Sequence, residues 1–248
     1  MPIVRILLIL LALATPAFAH DGVRDAAVAR EAAQAFKLYV DEVTQEHGRP
    51  DLKRPAVASM LGRIFDLDAL DALPPAQASD MSWLLDWGDA ANATSKLFTR
   101  YGSKPGPQPD LEALQRNMSA YEDEYATAMN FMIRVLAREA VAAELFRATL
   151  RPEDLTRVRE EGFSGLRRST AEFILTAICS VIESGGKAEN ARLVAAAIRD
   201  TRDVWAGFFF AQDRSRVIEY IAAHDKRMPD QTARTDLAAF TAALQAMD

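Results

Sequence analysis

Apolar residues recur every three to four positions through most of the chain, and no stretch alternates apolar with polar, so the pattern predicts helices throughout. Glycine and proline gather where those helices should stop. A first helix over about 23–47 places Ala32, Phe36, Tyr39, Val40 and Val43 on one face and ends at Gly48 and Pro50. A second, over about 55–73, turns Val57, Met60, Leu61, Ile64 and Leu67 inward and ends at Pro74 and Pro75. Asp80 is placed to N-cap a third, with Met81, Leu84, Trp87, Ala91 and Phe98 on its face and Gly102 as its C-cap.

The strongest periodicity follows. From Asp110 onward, Leu111, Leu114, Met118, Tyr121, Tyr125, Ala128, Met132, Val135, Glu139, Ala142 and Phe146 are spaced alternately three and four apart. This predicts one straight helix over about 110–149, about 60 Å long at 1.5 Å per residue, as the spine of a bundle. Before it, the run 103–109 (SKPGPQP) cannot be helical and marks a hinge between an N-terminal and a C-terminal half.

After it, Pro152, Glu153 and Asp154 open a segment that Gly162 and Gly165 should break. Further helices are expected over about 166–184, 188–211 and 214–224, with a last one after Pro229 and Asp230. The fold class expected is all-α, an irregular helical bundle built around one long helix, with no sheet and a single domain over 20–248.

The first 19 residues change the picture of where the chain works. Arg5, the apolar stretch 6–14, Pro16 and the sequence Ala17-Phe18-Ala19 have the order of a secretory signal peptide with a small-x-small cleavage site. The apolar stretch is far shorter than the roughly 20 residues of a membrane span. The expectation is an exported protein, periplasmic or secreted, that starts at His20 and has no stable membrane anchor. The net charge of −6, without a basic block, argues against nucleic acid as a partner. A single cysteine, Cys179, excludes a disulfide framework.

Candidate chemistry is sparse. Cleavage after Ala19 would expose the amine and imidazole of His20, a chelating pair for copper that His47 or His224 would complete. Glu139 falls in the apolar seam of the spine, where an unpaired carboxylate costs several kcal/mol or takes up a proton, so Arg167 or Arg168 is expected opposite it. Asp66, Asp68 and Asp71 have calcium-loop spacing but no turn glycine, and read as a solvated helix face. Ser184 and Lys187 match Ser-x-x-Lys without the companion motifs of penicillin-recognising enzymes. Phe208, Phe209 and Phe210 cannot all face one side of a helix, so at least one must look away from the main core.

The function these features predict is a binding protein for a protein, peptide or small apolar ligand, using Tyr121, Tyr125, Glu139, Trp205 and Phe210. No cofactor is expected for that role. The alternatives are copper binding through His20, His47 and His224, and an enzyme whose site is assembled from dispersed residues around Glu139.

Overall fold

The computed structural model describes residues 21–104, 110–183, 186–228 and 230–247, and every regular element among them is helical. In chain order these are α1 (Asp21–Gln45), α2 (Pro55–Ile64), α3 (Leu67–Ala72), α4 (Met81–Thr99), α5 (Leu111–Ala120) and α6 (Glu122–Thr149). They continue as α7 (Arg157–Glu183), α8 (Ala188–Asp200), α9 (Arg202–Phe208), α10 (Ala211–His224) and α11 (Gln231–Gln245). The predicted all-α bundle is what the chain forms. The leader and residues 105–109 lie outside the described residues, and among those described no helix is long and apolar enough to cross a membrane.

Two apolar clusters meet on α6. Ala128, Phe131, Met132, Val135 and Ala142 join Phe36, Ile64, Trp87 and Phe98 of the N-terminal helices. Ala126, Met129, Ile133, Ala137 and Ala140, from the opposite face, join Ile174, Ile178, Ile198, Trp205 and Phe240. Each set repeats at three- and four-residue spacing, offset by two positions, which places the sets on opposite sides of a 3.6-residue helix. A helix apolar on both sides is stable only when covered on both. The Trp87 ring lies 5.3 Å from that of Phe131, and its Nε1 donates to the Ile64 carbonyl at 2.9 Å, so this large ring is buried without an orphaned donor.

The single spine over 110–149 is corrected by the structure. The helix kinks at Tyr121, whose φ of −121° and ψ of 35° leave the helical region, although Tyr121 N still donates to Asn117 O and Tyr125 N to Tyr121 O. The Tyr121 hydroxyl donates to the Pro50 carbonyl at 2.8 Å and accepts from Arg49 Nε at 3.1 Å. Buried Asn117 donates from Nδ2 to the carbonyls of Thr99 and Tyr101. These bonds turn Ala113 and Asn117 inward and leave Leu111 exposed, against the predicted seam. The 28 residues of α6 alone span about 42 Å.

Other boundaries also moved. The helix expected over 55–73 divides at Phe65, where the Asp66 carboxylate accepts from Ala69 N and starts α3. Gly162 and Gly165 do not break α7. The helix expected over 188–211 divides at Thr201, whose hydroxyl oxygen accepts from Trp205 Nε1 at 2.7 Å. Asp80 does not cap α4; it is buried in a 3-10 turn, accepting from Gln77 N and Trp83 Nε1. Gly102 does adopt a left-handed φ of 66°, but not as the C-cap: Arg100 caps α4, and Gly102 lies in the next turn, which Ser103 N closes by donating to Arg100 O.

Candidate functional site

The turn after α6 brings the last turn of that helix against the start of α7, with the rings of Phe146 and Phe163 6.4 Å apart. The third wall comes from residues 208–210. α9 ends at Phe208, and Phe209 and Phe210 are extended, with ψ of 147° and 154°. Extended backbone sends alternate side chains to opposite sides. Phe209 accordingly stacks on Trp205 at 5.7 Å, while Phe208 and Phe210 both meet the Arg167 guanidinium, at 5.4 and 5.3 Å. Arg214 Nη1 donates to the Phe209 carbonyl at 3.0 Å and fixes this bend.

These walls flank a half-open cavity of about 230 Å³ lined by Arg147, Glu160, Phe163, Ser164, Arg167 and Phe210. Arg167 is positioned from two directions, by the rings and by Glu144, whose Oε1 accepts from its Nη2 at 2.7 Å. A stacked, ion-paired guanidinium loses little further freedom when it meets a ligand. A second hollow of about 340 Å³, between Leu52, Leu61, Gly62 and Phe65 and the start of α6, is more open and mainly apolar. The first hollow combines aromatic walls with converging polar groups, which is the composition of a small-molecule site.

Glu139 lies elsewhere, in the contact between α6 and α4. It is 3% exposed, and no hydrogen bond or ion pair reaches it among the described residues. Burial, with a further push from Asp89, raises its carboxyl to about 8, so the group keeps its proton at neutral pH. The arginine partner expected for it is corrected: Arg167 pairs with Glu144, Arg168 is exposed, and what faces Glu139 is the bare backbone of Gly88.

The five residues expected to form one binding site do not converge. Phe210 lines the cavity. Tyr121 ties the loop before α2 to α6, with the Arg49 guanidinium over its ring at 4.9 Å. Tyr125 is partly buried between the two clusters, where loss of water pushes its hydroxyl up. Trp205 is fully buried in the C-terminal cluster.

Of the histidines, His20 is outside the described residues. His47 ends α1 with a φ of 56° and its Nδ1 3.0 Å from the Gln45 carbonyl. His224 stacks on Tyr220 at 4.3 Å, with its Nδ1 2.8 Å from the Tyr220 carbonyl. Among the described residues no group of three or more His, Cys, Asp or Glu is arranged for a metal ion. Ser184 is likewise outside the described residues, and Lys187 pairs with Asp123 and Glu122 at the start of α6.

Of the cavity residues, Arg147, Glu160, Phe163 and Ser164 were not singled out from sequence. The local signal for them was Gly162-Phe163-Ser164-Gly165, an aromatic and a hydroxyl bracketed by two of the chain's 11 glycines. At Gly165 a β-carbon would meet nothing within 4 Å, so that surface of α7 is open.

The fold and the cavity define an all-α helical bundle with an aromatic-walled, arginine-lined pocket at one end of its central helix. No family model matches the chain, and neither curated proteins nor solved structures include a match to it.

Proposed function

We propose that this chain is an exported helical binding protein that takes a small ligand into the cavity between α6, α7 and the 208–210 bend. The observation that carries the reading is Arg167, held by Glu144 and two phenylalanine rings on the wall of a hollow that also presents Arg147 and Ser164. Preorganised polar groups among aromatic walls give orientation and affinity at little entropic cost. The half-buried position of Phe210 fits the same role, since its two neighbours supply the core packing and it is left for the cavity. The leader pattern in residues 1–19 supports export.

The test uses chain beginning at His20 and the fluorescent probe 1-anilinonaphthalene-8-sulfonate, which joins an apolar body to one anion. Saturable binding at one site is expected, weakened about tenfold by Phe210→Ala and abolished by Ser164→Trp, which fills the hollow. Binding unaltered in both variants overturns the site. Export is tested by sequencing the N-terminus of protein recovered outside the cytoplasm, where a chain still beginning at Met1 sinks that part of the reading.

A further inference from the structure

Around the cavity the charged side chains are largely satisfied by neighbours. Arg151 holds Asp154 at 2.8 Å and Glu153 at 3.4 Å, Arg157 holds Glu161 at 2.7 Å, and Arg167 holds Glu144 at 2.7 Å. Arg147 and Glu160 are different. Both line the cavity, yet neither forms an ion pair among the described residues, with each other or with anything else. A cation and an anion that share a hollow without meeting leave a gap that a molecule carrying both charges would bridge.

Charge selects among the ligand classes that fit. A simple anion is attracted by Arg147 but repelled by Glu160, and a simple cation meets the reverse; only a ligand with separated opposite charges is favoured at both ends. Arg167 adds little net charge, because Glu144 already neutralises it. Phe163 and Phe210 offer apolar walls for the rest of the molecule. The volume of about 230 Å³ falls below the roughly 300–1,000 Å³ of clefts for drug-sized ligands, so the part of an occupant held between the walls is about the size of an amino acid, and anything larger extends through the open side.

We infer that the cavity binds a small apolar zwitterion, a free amino acid with an apolar side chain. Its carboxylate sits at Arg147, its ammonium at Glu160, and its side chain lies against Phe163 and Phe210. This rests on the cavity being the binding site, as proposed above.

Calorimetric titration of the chain from His20 with L-phenylalanine, N-acetyl-L-phenylalanine and L-phenylalaninamide separates the two charges. The expected result is that each derivative, lacking one charge, binds about tenfold more weakly than phenylalanine. Arg147→Gln should weaken phenylalanine by about the same factor and bind the cationic amide no more weakly, since a like charge is removed; Glu160→Gln should weaken phenylalanine and bind the anionic acetyl derivative no more weakly, for the same reason. Both residues are exposed, so the variants keep the wild-type melting temperature as a control. Equal binding of all three compounds, or phenylalanine affinity unmoved by both substitutions, overturns the inference. If the fluorescent probe binds and phenylalanine does not, the zwitterion falls and the cavity reading stands. If the probe also fails, both fall.

Discussion

Oε1 of Glu139 lies 2.6 Å from the point that a β-carbon on Gly88 would occupy, closer than any real side chain tolerates. The carboxyl of α6 therefore rests in a notch on α4 that exists because residue 88 has no side chain. Among the described residues nothing donates to it, and burial keeps it protonated up to about pH 8.

Glu139 should make stability fall as pH rises. Below its ordinary value of 4.5 the group is protonated in folded and unfolded chain alike, and it costs nothing through titration. Between there and about 8 the unfolded chain releases a proton that the folded chain retains, at about 1.4 kcal/mol per pH unit; above that the penalty is complete. Glu139→Gln removes the titration and should gain on the wild type steadily from pH 5 to pH 8 in denaturant unfolding. A difference between the two proteins that does not change with pH rejects the buried neutral acid.

The notch should couple residues 88 and 139 energetically. Gly88→Ala alone forces the carboxyl aside and should cost about 1–3 kcal/mol, the usual range for overpacking. In a Glu139→Ala background the same change has room, and alanine's better helix propensity should make it stabilising by about 0.5–1 kcal/mol. A double-mutant cycle that closes to zero would show that the two residues do not share the space.

The start of α11 should govern part of the acid limb. The Asp230 carboxylate accepts from Arg192 at 2.7 and 2.8 Å and from Ala233 N at 2.9 Å, and these bonds hold it down to about 2. Its contribution is present above its ordinary 3.8 and is lost as pH falls through about 2. Asp230→Asn keeps the cap but not the charge. The variant should be less stable than wild type near neutrality, with the gap closing between pH 4 and pH 2. A gap of constant size would mean that the Arg192 pair adds nothing.

Tyr121→Phe should destabilise by about 1–2 kcal/mol, because it leaves the Pro50 carbonyl and Arg49 Nε without their partner while preserving the ring contacts. Urea unfolding measures this directly. A variant as stable as wild type would remove the hydroxyl as the cause of the kink.

What could be read from sequence was whatever local chemistry decides. Asp110 and Asp230 begin helices by accepting from the residue three further on, Gly102 turns left-handed, and the triple phenylalanine does send one ring away from the core. What escaped was decided by distant partners. The kink at Tyr121 depends on a carbonyl 71 positions earlier, and no periodicity within 110–149 signals it. Gly162 and Gly165 cost roughly 1 kcal/mol each inside a helix, which the packing of the rest of α7 outweighs. The neighbour of Glu139 was unreadable for another reason: a buried carboxyl in an apolar seam implies a charged partner, and what accommodates it is the missing side chain of Gly88. The cavity joins residues 147, 160–167 and 210, so only folding reveals it; Phe210 alone carried a trace in the sequence.

The two-sided burial of α6 also binds the fate of the chain's halves together. Phe131 and Val135 complete the N-terminal cluster, although they follow the Pro-rich run by more than 20 residues. A polypeptide severed within 103–109 would give a first piece stripped of those side chains, with Trp87 and Phe98 turned to water. Such a piece should not hold native structure alone, and should regain it when mixed with the second. In the intact chain, heat or denaturant should then melt both clusters in one transition, with α6 as the element neither can relinquish.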